Sequence, residues 1–240
     1  AVDTAVALID FGNDFDWKDR GRAMYDCGNN VVFDGGRIVS ADFCRQRFCP
    51  LCQRRKSLRT YSDFCRILDI LGDYSFCHLV LTVPNVKSDE LSETLDMMNK
   101  CSSRFFKIDE VSRAFCGVAR VTEISYNRNN NSFHPHFHCL VAVKKSYFTS
   151  RYYLKFERLR FLWSAVWQFR YDNLKRLKDQ RILESNLLDT NLLQIHITKA
   201  DSGALPEIAK YAVKPLSFDA SRKERAQVLQ ALFEAIHGRG

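Results

Sequence analysis

The sequence predicts an α+β fold, an antiparallel sheet with helices packed on one face. Three observations carry that expectation. Apolar runs of strand composition occur at 76–83, 115–127, 133–143 and 192–198. Stretches with apolar residues at helical spacing alternate with them, at 56–71, 88–108, about 151–180 and 221–237. The polar run Arg128-Asn129-Asn130-Asn131-Ser132 separates two strand runs and is built from residues that tolerate turn geometry.

The elements follow in chain order. The first strand run ends at Pro84-Asn85. Ser88 is the expected N-cap of the next helix, with Asp89 and Glu90 favourable in its first turn. The 115–143 segment reads as a hairpin. The 151–180 segment carries Trp163 and Trp167 in an aromatic stripe at helical spacing, which belongs in a core. Pro206 followed by good helix formers predicts a short helix through Lys214. With 46% apolar and 12% aromatic residues among 240, the chain has enough for one core plus a small module. Residues 1–57 are assigned to an N-terminal zinc-binding module and 58–240 to the main domain.

Composition narrows the class. No run of 18 apolar residues occurs, so no transmembrane helix and no membrane partner are expected. No secretory pattern opens the chain, and its first residue is not Met, so a processed or trimmed start is expected. Nine cysteines without secretory features point to a reducing, cytoplasmic setting. A formal net charge of +8 favours a polyanionic partner.

Cys27, Cys44, Cys49 and Cys52 form the cysteine cluster. The Cys49-Pro50-Leu51-Cys52 step lets two thiolates approach one zinc, with Cys44 and Cys27 completing a closed tetrahedral site. Arg45, Arg47, Arg54, Arg55 and Lys56 surround it as a basic patch suited to DNA phosphates. The remaining cysteines (Cys65, Cys77, Cys101, Cys116 and Cys139) sit in apolar segments and are expected to be buried thiols.

His134-Pro135-His136-Phe137-His138 is the densest chemical signal, holding three of the six histidines. Alternate residues of a strand share a face, so the three imidazoles line one surface while Phe137 anchors the other. Imidazole is the commonest protein metal ligand. A hairpin turning about Asn129-Asn130 puts Glu123 opposite His136, with Cβ atoms roughly 4.5–5.5 Å apart. Glu123, His134 or water then completes the metal set with His136 and His138. Near the end of the chain, Glu207 and Tyr211 stand one helical turn apart, as do Lys210 and Lys214. A cation that polarises a phosphate makes a phenol an effective nucleophile at phosphorus. His78 and His196, in apolar strands, are expected to be core or edge residues.

The strands HLVLTVPN (78–85) and HPHFHCL (134–140), with EIAKYAVK (207–214), resemble the three motifs of rolling-circle replication initiators of the HUH endonuclease class. The likeness is to plasmid initiators of Gram-positive bacteria with one catalytic tyrosine and a glutamate one turn before it. CRQRFCPLCQRRK (44–56) is similar to that family's N-terminal region. The resemblance implies a ferredoxin-like core with the hairpin at the sheet centre. It also implies magnesium or manganese at His136 and His138, beside structural zinc. Tyr211 would be the nucleophile, giving a 5′-phosphotyrosine and a free 3′-OH primer. Glu207 would activate water at termination, and Lys210 or Lys214 would hold a phosphate oxygen. The implied partners are the plasmid double-strand origin and a host helicase and polymerase. A single-tyrosine transposase or relaxase, or a non-enzymatic zinc-containing DNA-binding protein, are the alternative readings.

Overall fold

The computed structural model describes residues 2–70, 72–169, 193–200 and 220–236. Two helices open the chain, α1 (Val2–Phe11) and α2 (Phe15–Tyr25). Asp14 caps α2, its side chain accepting from the Trp17 N–H at 3.1 Å. Gly21 lets the two helices touch, since a Cβ there would sit 2.8 Å from the Ala5 carbonyl oxygen. A hairpin follows, β1 (Val31–Asp34) and β2 (Arg37–Ala41). Its turn is Gly35-Gly36, with φ of 53° and 80°, the left-handed backbone that a two-residue hairpin loop requires.

The remaining elements are α3 (Pro50–Ile70), β3 (Tyr74–Thr82), α4 (Ser88–Phe105), α5 (Asp109–Ala114), β4 (Gly117–Asn127), β5 (Ser132–Lys144), α6 (Phe156–Phe169), β6 (Ile195–Ala200) and α7 (Arg222–Ile236). The N-cap of α4 is Lys87 rather than Ser88, because Glu90 Oε2 accepts the Lys87 N–H at 3.2 Å and fixes the entry of the helix one residue earlier.

Strands β3 to β6 form one antiparallel sheet in the order β4-β5-β3-β6. With α4 and α6 as connections this is the ferredoxin-like split βαβ topology. The fold class therefore matches the expected mixed α+β architecture. The hairpin, however, is not central: β5 and β3 are, while β4 forms one edge. The connections through α4 and α6 insert β3 beside β5 and lay β6 beyond it, which leaves β4 outermost.

One face of the sheet is dry. Cys77, Leu79, Leu81, Phe137, Cys139, Val141 and Val143 project onto Met98, Cys101 and Phe105 of α4 and Leu159, Leu162 and Trp163 of α6. Trp163 is fully buried and donates its indole N–H to the Thr82 carbonyl at 2.7 Å, which ties α6 to the end of β3. Burying side chains of this size stabilises by roughly 1.5–3 kcal/mol each. A one-residue slip of β5 would exchange Phe137 for its neighbouring histidines, so this packing also sets which residues face the other way.

The opposite face carries the polar residues. It is not bare, as a helices-on-one-face layout predicts: Phe64 of α3 packs there with Leu140, Phe76, Ala119 and Ala200. The amphipathic spacing of α3 gives it an apolar side to bury, and this end of the face supplies the matching apolar residues. The N-terminal helices dock on α7, where Trp17 meets Phe233 edge-to-face at 5.0 Å. Cys65, only half-buried on α3, and Cys116 depart from the expected buried thiols; Cys116 departs further. It is exposed because it precedes an edge strand, whereas Cys77, Cys101 and Cys139 are buried.

Candidate metal and nucleic-acid site

The hairpin register is the one the loop length and alternation predict, with Glu123 opposite His136. Asn131, at φ 48°, takes the left-handed turn position, and Asn127 Oδ1 accepts the Asn129 N–H at 3.1 Å. Glu123 of β4 and His136 and His138 of β5 therefore share one face. Glu123 Oε2 lies 3.1 Å from His136 Nε2 and 2.9 Å from His138 Nε2.

Burial gives this cluster its meaning. Glu123 is 7% exposed and His138 5%. A carboxylate at such depth is costly unless paired, and the two imidazoles meet it there. Octahedral ligands about 2.1 Å from a small divalent cation are roughly 3.0 Å apart when adjacent. The two nitrogen–oxygen separations fit that spacing. The three ligand atoms lie within 4.8 Å of one another, so one cation can take all three.

His134 stands beside this group rather than in it. Its ring centroid is 5.2 Å from that of His136, and burial holds its pKa below the ordinary histidine value. Its carbonyl oxygen lies 3.1 Å from His136 Nδ1, fixing that ring with Nε2 toward Glu123. His78 is the residue that sequence reasoning missed. Its Nε2 lies 3.0 Å from His138 Nδ1, with the rings stacked at 5.2 Å. On β3, His78 pairs with Leu140 and Val80 with His138, so His78 is the diagonal neighbour of His138 on the same face. His196 pairs with Val80 and joins that face from β6.

The second cluster is Cys27, Cys44, Cys49 and Cys52, whose sulfur atoms lie within 4.8 Å of one another. Cys27 Sγ is 3.6 Å and Cys44 Sγ 3.7 Å from Cys52 Sγ. Four sulfurs about 2.3 Å from one tetrahedral ion are roughly 3.8 Å apart, so these separations fit a single metal. Backbone N–H groups of Cys44 and Arg45 point to Cys27 and Cys52 sulfurs at 3.5 and 3.2 Å. Burial pushes the Cys27 thiol up to about 11 and raises Cys44 as well. At Cys49 burial also raises the pKa, but the Cys52 N–H and the neighbouring thiols outweigh it and lower the value.

Arg54 and Arg55 lie exposed on α3 just after Cys52, and Arg55 stacks 4.3 Å from the Phe43 ring centroid. Arg47 donates to the Ile236 carbonyl at 3.4 Å, which ties the cysteine loop to α7. Glu207, Lys210, Tyr211 and Lys214 lie outside the described residues; the strand that precedes them, β6, ends at Ala200 beside β3.

The family model described as "Replication protein" matches residues 35–240. The chain belongs to the replication protein family. Among curated relatives, a "Protein rep" of Streptococcus pneumoniae serotype 2 is 29% identical over 224 residues, which is 88% of this chain and 64% of the relative. A "Protein rep" of Staphylococcus aureus is 32% identical over 154 residues, covering 62% of this chain and 66% of the relative. One from Bacillus sp is 29% identical over 184 residues, covering 74% and 59%. This chain thus spans less than two thirds of the length of these relatives. No solved structure matches. Among the described residues, no helix is long and apolar enough to cross a membrane.

Proposed function

We propose that this replication protein initiates plasmid rolling-circle replication by nicking and rejoining one DNA strand at the origin. The observation that carries the reading is Glu123 Oε2 held between His136 Nε2 and His138 Nε2 on one face of a ferredoxin-like sheet. Family membership supports DNA as the partner, and the net charge of +8 agrees with it.

Glu123, His136 and His138 would hold a magnesium or manganese ion. That ion, when bound, polarises the scissile phosphate and offsets charge that builds on its oxygens. Tyr211 attacks phosphorus through its phenolic oxygen. The phosphorus–O3′ bond breaks, the phenol loses its proton, and the departing O3′ gains one. The products are a 5′-phosphotyrosine and a 3′-OH from which a host polymerase extends, with a host helicase opening the duplex. Because the phosphodiester is stored on Tyr211, attack by a later 3′-OH reverses the bond exchange and joins strands. Glu207 takes the proton from a water that hydrolyses the last ester. Lys210 or Lys214 contacts a phosphate oxygen.

The four cysteines would hold a structural zinc in the N-terminal module, residues 1–57, which presents Arg47, Arg54 and Arg55 to origin DNA ahead of the endonuclease domain, residues 58–240. Such a cycle belongs in the cytoplasm, where plasmid, helicase and polymerase meet. The test is a supercoiled plasmid carrying a candidate origin, incubated with the protein and manganese. Relaxed circles with protein covalently on a 5′ end are expected. Binding without relaxation under any divalent cation would leave a DNA-binding protein only.

A further inference from the structure

A second concentration of charge lies on the helix side of the sheet, away from the Glu123 face. There α4 and the edge strand β4 enclose a shallow cavity of about 410 Å³, lined by Asn99, Lys100, Ser103, Arg104, Lys107 and Arg120. Four of these six carry positive charge and none is acidic. Lysines and arginines near a helix C-terminus ordinarily serve the helix dipole, and Lys100, Arg104 and Lys107 fit that description. Arg120 does not, because it comes from the sheet.

Arg120 is also held in place. Its Nη1 donates to Ser102 Oγ at 2.8 Å and its Nη2 to Asn99 Oδ1 at 2.9 Å. Its guanidinium carbon sits 4.4 Å from the Phe137 ring centroid. Both acceptors are uncharged, so these contacts orient the guanidinium without neutralising it. A fixed fork of N–H donors beside three further cations is the chemistry that recognises a phosphate.

The position of the cavity identifies whose phosphate. Arg120 and Glu123 lie on the same strand, three residues and so about 10 Å apart, and project to opposite faces. No described strand pairs with the outer edge of β4. A flexible polyanion can therefore leave the metal face, round that edge and meet the four cations.

We propose that Lys100, Arg104, Lys107 and Arg120 bind backbone phosphates of the single DNA strand that passes round β4 from the Glu123–His136–His138 face. The site rests on the reading of that face as the DNA-cleaving centre, and it adds a path for the strand and a second point of hold. Distance from the metal makes it a binding site: it contributes affinity and tension on the strand without touching the reacting atoms.

The test measures binding of a fluorescent single-stranded origin oligonucleotide to the whole chain, with its zinc retained and no divalent cation added, at several salt concentrations. Each single-strand phosphate contact contributes about 0.7 to the slope of log affinity against log salt. Lys100→Gln/Lys107→Gln is expected to flatten the slope by about 1.4. Arg104→Gln is expected to flatten it by about half that amount. Lys18→Gln/Lys223→Gln, on α2 and α7, is expected to leave it unchanged. An equal flattening in that control pair, or an unchanged slope in Lys100→Gln/Lys107→Gln, overturns the site. So does calorimetric binding of ADP that these lysine changes abolish while the DNA slope stays intact, since the cavity is then a nucleotide site. Wild-type protein with no affinity for the oligonucleotide overturns the cleaving reading itself, and is thereby told apart from failure of this site alone.

Discussion

Nε2 of His78 lies 3.0 Å from Nδ1 of His138, whose own Nε2 lies 2.9 Å from Glu123 Oε2. The two contacts hold the His138 ring from both ends. If Nε2 gives its lone pair to a cation, the proton must sit on Nδ1, and His78 Nε2 is placed to accept it. Metal-ligating histidines ordinarily have such a partner on the second nitrogen, and losing it costs about 10–100-fold in metal affinity or activity. His78→Ala is expected to weaken manganese binding by about that factor. His78→Gln, whose carboxamide oxygen also accepts, should recover part of the loss. Calorimetric titration with manganese reads both. Wild-type affinity in His78→Ala would reduce His78 to a packing residue.

The cluster itself should fail more completely than its support. His136→Ala and His138→Ala each remove a ligand atom, and Glu123→Gln keeps the shape while removing the charge. All three are expected to lose manganese affinity by more than about 100-fold, together with metal-dependent relaxation of origin plasmid. His134→Ala should be milder, because its ring lies beside the group and its contact to His136 runs through its backbone carbonyl. Nicking at the wild-type rate by either of the first two variants would mean that the cation is held elsewhere.

For the cysteines, the sulfur separations predict one tightly held zinc per chain. Cys49→Ser and Cys52→Ser should lose it. They should also melt earlier than wild type, since structural zinc binding is coupled to folding. Cys49 is fully buried among Ala5, Leu8 and Trp17 of the N-terminal helices, so the loss should reach their packing on α7. Elemental analysis and a thermal melt with and without chelator read the two effects. A folded, zinc-free and fully active preparation would leave the four as plain thiols.

Tyr211→Phe removes one oxygen atom. Origin binding should persist, while nicking and the covalent adduct vanish, seen as absence of a shifted protein band after denaturing electrophoresis with labelled DNA. An adduct that survives in the phenylalanine variant assigns the nucleophile to another residue.

The parts of the site that were legible in the sequence are the local ones. Glu123 opposite His136 follows from a short polar loop and strict alternation, and both are read within one hairpin. The cysteine cluster follows from ligand spacing. His78 was not legible as a site residue: its approach to His138 depends on β3 pairing with β5, a contact between distant segments whose register no local pattern states. The position of β4 at the sheet edge failed for the same reason. The β1–β2 hairpin is a different case, because Asp34-Gly35-Gly36-Arg37 is a strong two-residue turn signal flanked by β-branched residues and was available to be read. The strands there are exposed on both sides, so they lack the alternation that marks a half-buried strand.

The proposed role of Glu207 rests on what termination requires. On the proposed cycle Tyr211 would carry one strand end per turn, so a second cleavage would need another nucleophile or an activated water. In the sequence no second tyrosine stands four residues before Tyr211, whereas Glu207 does. A carboxylate takes a proton from water at neutral pH when it reaches that water by a hydrogen bond. Glu207→Ala should therefore still nick and join. Without hydrolysis it should accumulate multimeric single strands and lasting protein–DNA adducts. Glu207→Tyr should cleave again by forming a second phosphotyrosine. The measurement is the length distribution of single-stranded circles made from a template with two origins. Unit-length circles from Glu207→Ala in wild-type proportion would show that water is activated without this carboxylate, and the search for the base would then move to the residues around Glu123.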